Sequence, residues 1–541
     1  MALTKTHVTH TVREATFDVF RRRGLTTLFS NPGSTEVPLL TDLPKDIRFV
    51  LALHEGSVVG LATGFALGRG EPALAVLHTT AGFGNAVGAL ATARVNRAPL
   101  VVLVGQQDRR HLVFEPFLAG RLAGLAGDYP VWTDQPVRAG DVPGAIERAY
   151  HEASTKRGPA VVIVPMDDWL QPADHDRESA AAGNVVRGNA AGAAAVGELA
   201  DFLSRAESPA IVVGAGADDP ETWTALSNLA RRLNAPVYQE SFGARAGFPQ
   251  DHRHFAGVLP ADRPRLRERL APYDALLVVG APVFRQSPYS PGRFTDSDVR
   301  IAIVGDDPDE VHRSPADLAI LAPPAATCAA LAAHLPQRDG DPPPQFVPPP
   351  APTPPTDGEP MLAGHVLAAL AERLPSETVV VEETPVDRPE LHERLLARRP
   401  LGFLSAAMGG LGFALPGAAG VKMAQPDRPV VAVVGDGSSL YAIQGLWSAA
   451  RYNLGVLCVI LSNGGYAIMD RLAERAGGTA PWPQFDVDIA GLARCFGCAS
   501  RRIEGHDELI AALDELVPTL ASRDEPFLLD VAIAPTQSFA P

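Results

Sequence analysis

Val430-Val431-Ala432-Val433-Val434-Gly435-Asp436-Gly437-Ser438-Ser439, then a helical pattern, then Val456-Leu457-Cys458-Val459-Ile460-Leu461-Ser462-Asn463-Gly464-Gly465, is the stretch that decides the fold. Two apolar, β-branched runs, each closed by a glycine-containing polar turn and separated by one helix, read as a βαβ unit with parallel strands. Such strands can lie side by side, so Asp436 and Asn463, one βαβ length apart, can meet at one rim of the sheet. The intervening helix is expected to start near Ser438.

An acid and an amide at that rim suit a magnesium diphosphate. Unpaired amides at a helix start attract phosphate oxygens, and Gly435 and Gly437 let the backbone approach closely. Magnesium takes only one or two carboxylates and fills its shell with amide, carbonyl, water and phosphate oxygens, so one Asp and one Asn are enough. Gly-Asp-Gly alone is an ordinary βα turn; the matching second half gives it weight.

Working outward, 541 residues predict about three or four domains at ~150 residues each. A formal charge of −15 without a basic run argues against a nucleic-acid surface, and no apolar stretch approaches the ~20 residues that span a bilayer. Partners are therefore expected to be small molecules or other subunits. The first residues lack the apolar core of a signal peptide, and four cysteines in a chain of this size make no disulfide framework, so a cytoplasmic setting is expected. Cys495-Phe496-Gly497-Cys498 has no second pair to close a zinc site and reads as small residues near a helix end.

Alternating helical and strand patterns predict an α/β protein of three doubly wound parallel-sheet domains. The expected bounds are 1–180, 190–336 and 360–541, with a polar Ala/Gly-rich linker after Leu170 and a proline-rich connector over 337–359. In the first domain, strands are expected at Thr26 to Phe29, Phe49 to His54, Ala73 to His78 and Pro99 to Val104. Ser34, Glu55, His78 and Gln106 fall just after strand ends, where ligands bind in open α/β sheets. Each also has an ordinary account: a turn or N-cap for Ser34, a favourable helix-dipole contact for Glu55, a carbonyl bond for His78. In the second domain Gly214-Ala215-Gly216 lacks the third glycine of a dinucleotide fingerprint, which argues against bound FAD or NAD.

Asn31-Pro32-Gly33-Ser34, Leu53-His54-Glu55, the run from Leu77-His78-Thr79 to Leu90, Gly105-Gln106-Gln107, Gly280-Ala281-Pro282-Val283-Phe284-Arg285, Gly409-Gly410-Leu411-Gly412-Phe413-Ala414-Leu415-Pro416 and Gly435-Asp436-Gly437-Ser438 with Asn463-Gly464 carry a resemblance. In order and over nearly the whole chain, they look like the thiamine diphosphate-dependent 2-oxo acid decarboxylases, with benzoylformate decarboxylase the nearest pattern. The resemblance implies pyrimidine-binding, middle and diphosphate-binding domains. Asp436, Asn463 and the backbone carbonyl of Gly465 would hold Mg2+. Asn31, Pro32, Gly33, Gly409, Gly437, Ser438 and Tyr466 would line thiamine diphosphate, Leu411 would keep it bent, and Glu55 would bond its pyrimidine ring.

The implied reaction is non-oxidative decarboxylation of a 2-oxo acid, aromatic by analogy, to an aldehyde and carbon dioxide. His78 and Ser34 would bind the carboxylate and relay protons. Ser287 stands near the place of a second active-site histidine, and it cannot titrate near neutrality as histidine does. Ser405, Met408, Ile468 and Leu472 occupy the pocket wall, Ser462 replaces an asparagine, and Pro385 and Val386 replace hydroxyl residues. The family's sites form between subunits, implying a homodimer or homotetramer. Two other readings stand beside this one: a carboligase or lyase acting on 2-hydroxy ketones, and a non-catalytic cofactor-binding relative.

Overall fold

A computed structural model describes residues 10–173, 181–186, 188, 190–296, 298–356, 358–479, 481–484 and 486–536. The first sheet comprises β1 (Thr27–Asn31), β2 (Arg48–Leu51), β3 (Ala73–Leu77), β4 (Leu100–Gln106), β5 (Trp132–Asp134) and β6 (Pro159–Pro165), in the order β2-β1-β3-β4-β6-β5. The second comprises β7 (Pro209–Val213), β8 (Val237–Gln239), β9 (Phe255–Val258), β10 (Ala275–Val279), β11 (Arg300–Gly305) and β12 (Leu318–Leu321), ordered β12-β11-β10-β7-β8-β9. The third comprises β13 (Val379–Glu383), β14 (Phe403–Ser405), β15 (Val430–Gly435), β16 (Leu457–Ser462), β17 (Ala499–Ile503) and β18 (Phe527–Ala532), ordered β14-β13-β15-β16-β18-β17. The pairings between these described strands are parallel, so strand ends carrying the polar turns align within each sheet. The central strands are buried on both faces, which is why they read as continuous Val/Ile/Leu runs.

The chain forms two compact units. One holds the first sheet together with residues 415–425 and 442–454; the other holds the second and third sheets. In the first unit, helix Glu55–Arg69 crosses helix Ala414–Ala424 at glycines. A Cβ on Gly64 would lie 2.9 Å from the Gly417 carbonyl carbon, and one on Gly420 would lie 2.8 Å from the Phe65 nitrogen. Only residues without a side chain allow backbones to pass so closely. Ser448 and Tyr452 brace the end of β2: Ser448 Oγ donates to the Leu51 carbonyl (3.1 Å), and the Leu51 amide donates to Tyr452 Oη (2.6 Å).

Several expected elements shift. β2 ends at Leu51 rather than His54, because His54 Nδ1 accepts the Gly56 amide (3.0 Å) and caps the helix that Glu55 opens. β1 runs on to Asn31, paired with Leu77, so Asn31 sits on the strand and not in the turn. The helix expected near Ser438 is broken into one turn, Asp436–Ser439, and a separate helix, Gly445–Arg451. The described residues of the proline-rich segment form no helix or strand, yet they are not free. The Phe346 amide donates to the Phe255 carbonyl (2.8 Å) and the two rings meet edge to face, which covers the exposed edge of the second sheet at β9. Part of the linker expected after Leu170, residues 174–180, lies outside the described residues.

Candidate active site

In the first unit, the ends of β1, β2 and β3 bring three predicted residues into one cluster. Glu55, 8% exposed, opens its helix, and both carboxylate oxygens are held: Oε1 by Asn31 Nδ2 (3.2 Å) and Oε2 by Asn85 Nδ2 (3.1 Å). Gly82 sits against the Glu55 side chain, where a Cβ would lie 3.3 Å from Oε1. His78 follows β3, and its Nδ1 lies 3.0 Å from both Glu36 Oε2 and Thr35 Oγ1. Gly33 packs under the imidazole so tightly that a Cβ would meet Cε1 at 2.6 Å. Ser34 is exposed on the turn beside them.

Glu36 is the residue that sequence reasoning missed. It is 2% exposed, accepts the Gly33 amide (2.7 Å) and the Thr35 hydroxyl, and bonds His78. That bond raises the His78 pKa above its usual value; burial opposes the shift, and the charges of Glu36 and Glu55 add to it. A carboxylate two positions after Ser34 in Gly33-Ser34-Thr35-Glu36, facing a histidine on a neighbouring strand end, was the available signal. Gln106 has a different task from the one its strand-end position suggests. Its amide brackets Gly120, donating to the carbonyl (2.6 Å) and accepting from the amide (3.1 Å), and so anchors the following loop.

In the second unit, β15 and β16 are neighbours, and Asp436 and Asn463 do meet. Asp436 Oδ2 accepts the Asn463 (2.9 Å) and Gly464 (2.7 Å) amides, while Oδ1 accepts Gly437 (2.7 Å). Burial raises the Asp436 pKa, and these three amides work against the shift. Asn463 Oδ1 accepts the Gly465 amide (3.1 Å), leaving one lone pair. Ser462, in the place of the expected asparagine, donates to Asp530, which also pairs with Arg502 (2.7 Å). A carboxylate and an amide oxygen are the hard ligands magnesium takes, and Cβ positions on Gly464 and Gly409 open onto empty space. The residues present therefore fit a magnesium-bound diphosphate. Ser438 is buried; Tyr466 is partly exposed.

A cleft of about 460 Å³ in this unit gathers Gly409, Leu411, Ser287, Ser405, Ile468 and Leu472 on its walls. Met408 is 44% exposed and is not part of that wall. Glu383, also missed from sequence, holds the loop that carries Leu411. Its carboxylate accepts the Gly412 (2.6 Å), Phe413 (2.9 Å) and Ala414 (2.7 Å) amides, satisfying the start of the following helix. Cys498 is buried with its thiol pushed up to about 12 by desolvation, which leaves it unreactive.

Three family descriptions match the chain: "Thiamine pyrophosphate enzyme, N-terminal TPP binding domain" over residues 10–121, the central domain over 196–331, and the C-terminal TPP binding domain over 391–531. The chain belongs to the thiamine pyrophosphate enzymes. Within them it is 37% identical over 536 residues to benzoylformate decarboxylase of Pseudomonas aeruginosa, covering 98% of this chain and 100% of that one. It also superposes on the thiamine diphosphate-dependent 4-hydroxybenzoylformate decarboxylase of Rhodococcus jostii RHA1 (TM-score 0.92, 34% identity, 98% of this chain and 100% of that one). The benzoylformate decarboxylase of Polynucleobacter necessarius is similar at a TM-score of 0.91 and 32% identity, with the same coverage.

Proposed function

We propose that this protein is a carboxy-lyase that uses thiamine diphosphate and Mg2+ to decarboxylate an aromatic 2-oxo acid to an aldehyde and carbon dioxide. The observation that carries the reading is Glu55: a nearly buried carboxylate with both oxygens aimed by amide donors, at the opening of a helix in a domain that matches a cofactor-binding family.

Thiamine diphosphate supplies a nucleophilic thiazolium carbon that also accepts the electron pair released with carbon dioxide. Asp436, Asn463 and the Gly465 carbonyl would hold its magnesium diphosphate, and Leu411, on the loop set by the Glu383 clamp, would support its bent form. Glu55 would bond the pyrimidine ring and exchange a proton there, tuning the base that the cofactor supplies. His78, kept more basic by Glu36, and Ser34 take the substrate carboxylate and move protons. Asn31, Pro32, Gly33, Gly409, Gly437, Ser438 and Tyr466 complete the cofactor walls, and Ser405, Ile468 and Leu472 face the substrate.

The domains run over 1–180, 190–336 and 360–541, and the working species is a cytoplasmic homodimer or homotetramer whose sites each draw on two subunits. Among the described residues no helix is long and apolar enough to cross a membrane. A second reading, carboligation of aldehydes, is favoured by Ser287. It lines the cleft without a titratable group, which slows protonation and gives an aldehyde time to compete.

The test is a panel of aryl and alkyl 2-oxo acids with thiamine diphosphate and Mg2+, scored for carbon dioxide and organic product. Release from aryl substrates is expected, and Glu55→Gln should abolish it while leaving the fold. No release from any acid, or full activity in Glu55→Gln, overturns the reading.

A further inference from the structure

One wall of the cleft is more polar than an aryl group requires. Helix Arg388–Arg394 and the ends of β13 and β14 place Arg388, Glu382, Thr384, Ser405 and His392 together on it. Glu382 is 2% exposed and fully engaged: the Thr384 amide and hydroxyl both donate to Oε1, and Arg388 Nε lies 3.6 Å from Oε2. Burial opposes its ionisation, but Arg388, the Thr384 amide and the Ser405 hydroxyl outweigh burial and hold the carboxyl below its usual range. His392 is buried, with its pKa pushed down by desolvation and by Arg388. It is therefore neutral, and its Nε2 accepts from Arg388 Nε (3.3 Å).

Arg388 is thus clamped. Nε faces His392 and Glu382, Nη2 donates to the Gly243 carbonyl (3.3 Å), and the guanidinium lies over the Phe242 ring. Its Nη1 makes no hydrogen bond among the described residues, and the side chain, 15% exposed, lines the cleft. The other two arginines of that cleft are different: Arg265 is tied to Asp262 on its own helix, and Arg269 is exposed. A fixed guanidinium with one fork arm free, in a partly desolvated wall, is a recognition element for an oxygen acceptor.

We propose that Arg388 is a specificity-determining residue that binds an oxygen acceptor, a phenol or carboxylate oxygen, at the far end of the 2-oxo acid. The inference rests on the 2-oxo acid reading above and narrows its substrate class to acids with a second polar end. Glu382 and His392 are positioning residues, since they reach substrate only through Arg388.

The test compares kcat/KM for phenylglyoxylate with its 4-hydroxy and 4-carboxy analogues. The wild-type chain should prefer at least one oxygenated analogue by about 10- to 100-fold, the range of one charge-assisted hydrogen bond. Arg388→Met should bring that ratio close to one, chiefly through KM, and Arg388→Lys should recover part of it. Because Arg388→Met strands a buried carboxylate, the pair Glu382→Gln/Arg388→Met is measured alongside. A wild-type ratio near one, or a ratio unchanged in both variants, overturns the proposal. Calorimetry with benzene-1,4-dicarboxylate and 4-hydroxybenzoate against benzoate reads the same preference without turnover. Absence of any decarboxylation therefore sinks the proposed reaction and leaves this inference to be decided by binding.

Discussion

Replacing Gly64 with alanine should loosen the helix that carries Glu55. In an open helix the change would be favourable, because alanine is preferred over glycine by about 0.8–1 kcal/mol. Gly88, in the helix Thr79–Val95, supplies that control: its Cβ position has nothing within 4 Å. At Gly64 a Cβ would lie 2.9 Å from the Gly417 carbonyl carbon and 3.0 Å from the Val421 nitrogen, with the Gly417 oxygen closer still. All are backbone atoms, so no side-chain rotation relieves them. Ordinary contact starts near 3.4 Å, and the helices must move apart. Overpacking of this kind costs typically about 1–3 kcal/mol. After the propensity gain, Gly64→Ala should be destabilised by up to roughly 2 kcal/mol and Gly88→Ala stabilised by about 0.8–1 kcal/mol.

At ~2–4 °C per kcal/mol for a cooperative unit of roughly 150–250 residues, the two variants should move the melting temperature of the first unit in opposite directions. Scanning fluorimetry, with hydrogen exchange across Glu55–Arg69, measures this. Equal melting temperatures for both variants would refute the claim that a backbone-to-backbone crossing, rather than helix propensity, fixes the helix.

Glu36→Gln should lower the His78 pKa and move the matching limb of the pH–rate profile to more acid values. The raised imidazole pKa stabilises the fold fully below the ordinary histidine value and progressively less as pH rises through the raised value. The variant should therefore lose most stability at mildly acid pH, as pH-resolved denaturation would register. Asp436→Ala should abolish saturable binding of magnesium diphosphate, read by calorimetry with thiamine diphosphate; retained affinity would remove Asp436 from the ligand set. Ser287→His should add a titration near the ordinary histidine value to the pH–rate profile and raise the share of aldehyde over carboligation product, checked by product analysis.

The sheets were legible in the sequence because parallel strands buried on both faces are written as unbroken apolar runs, as in Ala73–Leu77 and Val430–Gly435. Short strands such as Trp132–Asp134 and Val237–Gln239 escaped notice, since three residues carry too little pattern to outweigh their flanks. The break after Ser439 escaped too. The stretch 440–451 keeps a helical composition, and residues 442–454 are held by packing with the first sheet, including the Ser448 and Tyr452 bonds to Leu51. Those partners are remote in sequence, so no local pattern announces them.

The two halves of the site differ in legibility for a related reason. Asp436 and Asn463 are one βαβ unit apart, so local connectivity brings them together and the cofactor end can be read directly. Glu36, Glu383 and Arg388 act through partners chosen by tertiary packing: His78 across a sheet, the amides of a later loop, the carbonyl of Gly243 in another sheet's connection. Each looks like a surface charge in the sequence and is a buried or clamped group in the fold. Specificity toward the far end of a substrate is built from such groups, because only long-range packing can hold a guanidinium still enough to discriminate. A sequence that discloses its cofactor through a local motif can therefore leave its substrate unstated, and the Arg388 wall is where that missing information is stored.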